Sequence, residues 1–205
     1  MSRYTGPTHK LCRREGVALC DSPKCPVHGK RKYPPGQHGV KGYPRGMSVY
    51  GQQLRAKQRA KRLYGVLERQ FRRMFEIARV MKGNTAENLL GLLESRLDNV
   101  VYRLGFAETR PQARQFVTHD HIWVNGKKVN IPSYLIKKDD IISLSVRAMK
   151  HQYFKDKAES FAKKDRPSWL TFEPAKHTGK VVDSPNVVDL MEFLQPSMIV
   201  ELYSK

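Results

Sequence analysis

The sequence predicts an α+β protein: a mostly helical first domain, a small α/β domain built on a helix followed by a tight hairpin, and an irregular N-terminal arm. Three observations carry this reading. From Ser48 to Val117 apolar residues recur every three or four positions, the period of helices with one buried face. After Ile122 the pattern shortens to extended runs, with Asn125-Gly126 between Ile122-Trp123-Val124 and Lys127-Lys128-Val129, the strongest short-range hairpin signal. Residues 1–47 carry Gly and Pro throughout, so they have no apolar core of their own.

The chain has 205 residues, enough for a real core split between two modest domains. Its 38 Lys and Arg against 19 acidic residues give a formal charge of +19. The excess is lopsided: residues 1–82 hold 20 basic and 4 acidic side chains, the remainder 18 and 15. Such a balance describes the partner, a polyanion. No apolar run is long enough to span a bilayer. The start, MSRYTGPTHK, lacks the apolar stretch of a secretion signal, and the motifs begin too early to leave a transit leader. Nucleic acid is therefore preferred to a membrane surface. The three cysteines cannot all pair and lie within the first 25 residues, so a reducing, cytoplasmic setting is expected and a disulfide framework is not.

Taken in order, the arm needs an external holder, and a metal ion and RNA both fit. His9 and Cys12 are three residues apart, Cys20 and Cys25 five. Two such knuckles make a closed Cys3His site for structural Zn2+, with His28 as a substitute ligand. Arg13, Arg14 and Lys24 would favour the thiolate forms. The competing reading is three free cysteines and an exposed histidine. Ser48 is the candidate N-cap of a helix through about Leu63, whose Arg55, Lys57, Arg59, Lys61 and Arg62 have no acid among them. That repulsion would be relieved by a phosphate backbone. A second helix, Glu68 to Lys82, buries Phe71, Met74, Phe75 and Ala78 and shows Arg69, Arg72, Arg73 and Arg79 elsewhere.

Asn84 with Glu87 three residues on resembles a capping box, opening a helix that runs on through Asp98 to Leu104 and stops at Gly105. Thr109 caps the next, with Pro111 in its first turn and Ala113, Phe116 and Val117 facing inward. Arg110 and Arg114 lie one turn apart, placed to reach one groove or one phosphate ridge. Beyond the hairpin, Ile141 to Val146 reads as a strand, Ala148 to Lys164 as a polar helix, and Trp169 to Phe172 and Lys180 to Val182 as short strands. Met198 to Tyr203 reads as a closing strand.

GLLESRLDNVVYRLGFA, VNGKKVNIPSY, YPPGQHG, LERQFRRMFEIA and the tail IVELYSK together resemble the bacterial-type small-subunit ribosomal protein S-four family. The likeness covers most of the chain and thins over about 148–195. It implies a basic arm with a zinc knuckle over 1–47, a helical domain over 48–95 completed by 184–205, and an inserted RNA-binding domain over 96–183 with its core at 96–146. It also implies direct binding of the 5′ domain of small-subunit ribosomal RNA, nucleation of the subunit body, contact with protein S-five and a part in translational accuracy. Basic residues after YPPGQHG would line the path by which messenger RNA enters; Lys41 and Arg45 match. Two departures stand out. Zinc-binding relatives have four cysteines where this chain has His9 first and a shorter loop between Cys12 and Cys20. The loop Gly39–Ser48 is also longer.

The candidate RNA contacts are Arg3, Arg13, Arg14, Lys30, Arg31, Lys32 and His38 in the arm. On the first helices they are Arg55, Arg59, Arg62, Arg69, Arg72 and Arg73. In the inserted domain they are Arg96, Arg103, Arg110, Arg114, His119, Asn125, Lys127 and Lys128. Trp123 is a stacking platform or a core residue. Phosphate neutralisation and shape reading are the mechanism. The alternative is an RNA-modifying enzyme anchored by the same module. It would need its own catalytic constellation, and no phosphate-loop or dinucleotide motif occurs. His119, Asp120 and His121 are neighbours along the chain, which rarely converge on one centre. A DNA-binding regulator would need a recognition helix and a dimer interface.

Overall fold

The structure, a computed structural model, describes residues 4–20, 22–29, 31–41, 46–157, 161 and 164–204. The chain divides into two compact units, one of residues 1–89 with 189–205 and one of residues 90–188.

In the first unit, helices α1 (Thr8–Glu15), α2 (Val49–Leu63) and α3 (Glu68–Val80) precede α4 (Thr85–Glu94). Ser48 caps α2, its Oγ accepting from the Gly51 N–H at 3.2 Å. Phe71, Met74, Phe75 and Ala78 are buried as their spacing predicts. The C-terminal helices α9 (Val188–Leu194) and α10 (Pro196–Tyr203) follow, and α10 packs on α2. The expected closing strand is thus a helix. Its period is ambiguous over so short an apolar run, and Pro196 at the first helical position presets a helical φ. Tertiary contacts complete the choice. Tyr203 stacks on Phe75 with centroids 4.7 Å apart, and Gln53 donates to Glu201 at 2.8 Å.

Glu68 ties this docking together. Lys57 and Lys61 donate to its two oxygens at 2.7 and 2.9 Å, and the Tyr203 hydroxyl donates at 2.9 Å. Burial pushes this carboxyl up, but the three hydrogen bonds outweigh it and hold it at about 2 against an ordinary 4.5. A carboxylate depressed on folding stabilises above its unfolded pKa and loses that contribution as pH falls through the folded value. Between pH 4.5 and about 2 the first unit should therefore weaken. Glu68→Gln should lower the melting temperature at pH 7 and have no effect near pH 2. The side chain is 45% exposed, so added salt should shrink the difference.

The second unit joins α5 (Leu97–Leu104) and α6 (Arg110–Thr118) to a five-stranded antiparallel sheet of order β2-β1-β3-β5-β4. Its strands are β1 (Ile122–Val124), β2 (Lys127–Lys128), β3 (Ile141–Leu144), β4 (Leu170–Glu173) and β5 (Thr178–Val181). Asn125 and Gly126 turn the hairpin with φ of 50° and 73°, both in the left-handed region that a two-residue turn of this hand requires. Thr109 caps α6, accepting from the Gln112 N–H. Leu97, Val101, Leu104, Phe106, Ala113, Val117, Ile122 and Ile142 meet in one buried cluster.

Two expectations change here. The continuous helix from Asn84 to Leu104 breaks at Ser95-Arg96, where the backbone bridges to a loop instead: the Leu97 N–H donates to Tyr134 O at 2.8 Å and the Ile136 N–H to Ser95 O at 2.9 Å. Over the described residues 146–157, the polar helix expected over 148–164 is broken into α7 (Val146–Lys150) and α8 (Gln152–Asp156). They part at His151, whose backbone is extended and whose Nδ1 accepts from the Tyr153 N–H. Ser145 ends β3 early by capping α7.

Gly179 shows how closely β5 meets α5. A Cβ there would stand 2.5 Å from both methyl carbons of Leu104, itself fully buried. Gly179→Ala should cost about 1–3 kcal/mol through overpacking, seen as a lower unfolding midpoint in denaturant.

Candidate nucleic-acid interface

The arm is folded around sulfur. Cys12 on α1, Cys20 and Cys25 bring their Sγ atoms within 4.8 Å of one another, and Cys12 and Cys25 are buried. The Leu19 N–H points at the Cys12 sulfur at 3.4 Å, and the Ser22 backbone donates to Cys20. Burial, with the adjacent Cys12 and Cys25 thiols, pushes Cys20 up to about 12. The expected help from Arg13 does not arrive, because its guanidinium donates to the Tyr33 and Pro34 carbonyls at 3.0 and 3.2 Å and lies over the Tyr33 ring. A divalent cation would reverse this balance, and three converging sulfurs with backbone N–H donors suit one. The donor set differs from the one expected: neither His9 nor His28 joins the cysteine group. His9 stands at the half-exposed start of α1, one turn before the buried Cys12.

Arg13 therefore stitches α1 to the YPPGQHG segment. Arg14, Arg31, Lys32 and His38 are exposed. Arg3, Lys30 and Arg45 lie outside the described residues, as does the side chain of Lys41.

On α2 the repulsion expected among basic residues is relieved from within. Glu15, whose side chain is fully buried at the end of α1, accepts from Arg55 at 3.0 Å and from Arg62. Lys57 and Lys61 share Glu68, and Arg59 donates to the Phe193 carbonyl at 3.0 Å. Repulsion on α2 is thus no argument for a phosphate ridge. On α3, Arg69, Arg72 and Arg73 are exposed.

The second unit follows the same rule. Arg96 is 1% exposed, and its Nε and Nη2 donate to Asp98 at 3.0 and 2.7 Å. It is a structural cation, with no surface to offer a ligand. Arg114 donates to the same Asp98 at 3.0 Å. Arg103 grips the buried Glu94 through two nitrogens at 3.1 and 3.0 Å. Arg110 donates to Asn99 Oδ1 at 3.0 Å and lies 4.4 Å over Tyr102. So Arg110 and Arg114 share a face, as spaced, but both are held by α5. Asn125 is also structural: its amide donates to Asp140 at 2.7 Å and accepts from the Ile141 N–H at 2.8 Å, fastening the hairpin to β3. Lys127 is exposed at the hairpin, and Lys128 pairs with Asp120 at 2.8 Å while remaining 58% exposed.

Trp123 is half-buried, on the sheet face opposite the buried Ile122 and Val124. His119 is exposed, and its ring lies 6.3 Å from that of His121, which lies 6.0 Å from His151. Burial, then the neighbouring His151 and His119, holds His121 below its ordinary 6.5.

Sequence reasoning missed the acids. Glu15, Glu68, Glu94 and Asp98 organise the cations around them. For Glu94 and Asp98 a signal existed: both sit inside an apolar run, flanked by Arg96, Asn99 and Arg103.

Residues 3–94 match the family model described as the ribosomal protein S4/S9 N-terminal domain, and residues 95–142 match the S4 domain. Among similar proteins, the small ribosomal subunit protein uS4 of Caldicellulosiruptor bescii is 51% identical, with all of both chains covered. Small ribosomal subunit protein uS4A of Symbiobacterium thermophilum is 50% identical and uS4 of Acetivibrio thermocellus 48%, again over the full length of both.

Proposed function

Since the chain belongs to the small ribosomal subunit protein uS4 family, we propose that it binds the 5′ domain of small-subunit ribosomal RNA directly, in the cytoplasm, and nucleates assembly of the subunit body. One observation carries this reading: Glu15, Glu68, Glu94 and Asp98 fix basic side chains within the fold, while Arg14, Arg31, Lys32, His38, Arg69 and Lys127 are exposed, as are Arg72 beside Glu76 and Lys128 beside Asp120. A polyanion meets cations whose counter-charges are already committed. The phosphates are neutralised by the arm and by α3, and the hairpin reads the shape of the folded RNA. Arg103, Arg110 and Arg114 support that surface from behind, reaching it only where part of each guanidinium is exposed. Contact with protein S-five and an influence on translational accuracy belong to the same reading.

Zn2+ is the group we assign to Cys12, Cys20 and Cys25, with the fourth position filled from outside the cysteine group. When bound it supplies charge neutralisation for the thiolates and a cross-link that orders the arm. Lys41 and Arg45 are assigned to the path by which messenger RNA enters. Lys41→Ala with Arg45→Ala should spare ribosomal RNA affinity and slow passage through structured messengers.

The deciding experiment is a binding series against structured 5′-domain RNA, random RNA and duplex DNA at rising salt. With six to ten phosphate contacts, affinity for the cognate RNA should fall about 10³- to 10⁵-fold between 50 and 200 mM salt. Lys127→Glu with Lys128→Glu should weaken it further at every salt concentration. Equal affinity for all three nucleic acids would overturn the reading.

A further inference from the structure

The outer face of α3 carries something the RNA reading does not use. Arg73, Glu76, Ile77, Val80 and Met81 line an open groove of about 540 Å³. Positions 73, 77 and 80 recur at four- and three-residue steps, so they form one stripe along the helix, and Met81 follows at its C-cap. It is apolar where a helix facing water should be polar: Ile77 is 41% exposed, Val80 87% and Met81 45%. The inward stripe of Phe71, Met74, Phe75 and Ala78 already supplies the core. Among the described residues the second apolar stripe stays largely uncovered.

We propose that this stripe docks a segment of another protein, one bearing carboxylates beside apolar side chains. Charge selects the class of partner. Arg73 and Arg79, which the RNA reading leaves aside, are exposed on the same helix. A cationic rim around an apolar floor complements an acidic amphipathic segment. Arg and Met are also the side chains enriched in the cores of such interfaces. RNA fits the same place poorly. Its phosphates gain nothing from Ile77, Val80 and Met81. Arg73 is thereby moved from the RNA contacts to this surface.

The test uses the full chain in small subunits assembled in cells, with Val80 replaced by p-benzoylphenylalanine and the adduct identified by mass spectrometry after irradiation. The expected adduct is a protein segment with Asp or Glu flanking apolar residues. Adding Ile77→Lys or Ile77→Asp should cut its yield about fivefold or more, the loss typical of an interface anchor. Incorporation into the subunit, read by sedimentation, should be unchanged, and it reports on the RNA reading separately. The same probe at Met81 serves if the Val80 derivative is not incorporated. An adduct on RNA, an adduct on a second copy of this chain, no adduct at either position, or a yield indifferent to both substitutions would overturn the proposal.

Discussion

Asp98→Ala should destabilise the second unit by about 3–5 kcal/mol, the usual cost of leaving a buried charge without its partner. Asp98 is 5% exposed and Arg96 1%. The carboxylate takes two hydrogen bonds from Arg96, a third from Arg114 and a fourth from the Asn99 N–H. Removing it leaves the Arg96 guanidinium buried without its counter-charge. Denaturant unfolding of the whole chain checks this, followed by a probe in the second unit. Asp98→Asn keeps an acceptor but loses the charge and should fall between wild type and Ala. The double change Arg96→Met with Asp98→Leu removes both charges and should recover most of the loss, because a well-packed apolar pair is often as stable as a buried ion pair. A cost below about 1 kcal/mol for Asp98→Ala would mean that the pair is solvated after all.

Removing the Zn2+ proposed at Cys12, Cys20 and Cys25 should loosen the arm outright. A structural zinc site in a segment without its own core contributes on the order of 10 kcal/mol of folding free energy. Chelation should release about one Zn2+ per chain and open residues 4–41 to protease and to hydrogen exchange, as expected for a segment folded by its ion. Cys25→Ser should reproduce this without chelator. The effect should pass along α1. Once the helix frees, Glu15 leaves Arg55 and Arg62, and those two guanidiniums become more accessible to a reagent specific for arginine. An arm that stays protected in metal-free protein would remove Zn2+ from the account.

Much of the fold was legible because it is local. The Asn125-Gly126 turn, the caps at Ser48 and Thr109 and the inward stripe of α3 are each written within a few residues. The misses are non-local. Nothing in Met198 to Tyr203 says that Phe75 and Glu68, more than a hundred residues earlier, await a helix. Nothing around Thr178 says that its strand pairs with β3. The candidate site failed in the same way. Lys and Arg were visible as a count, but which of them would be gripped depended on acids brought from other helices. Arg96 read as a surface cation because the one local sign, Asp98 inside an apolar run, was outweighed by the count of basic residues.

The inward carboxylates also set the thermodynamics of encounter. An unrestrained arginine gives up about 2 kcal/mol of rotamer freedom when a ligand fixes it. Arg103 and Arg114 have already given it up to Glu94 and Asp98. Their immobilisation is charged to the folding of the chain, so RNA arriving at this unit should bind with a smaller entropic penalty than the same number of loose basic side chains would impose.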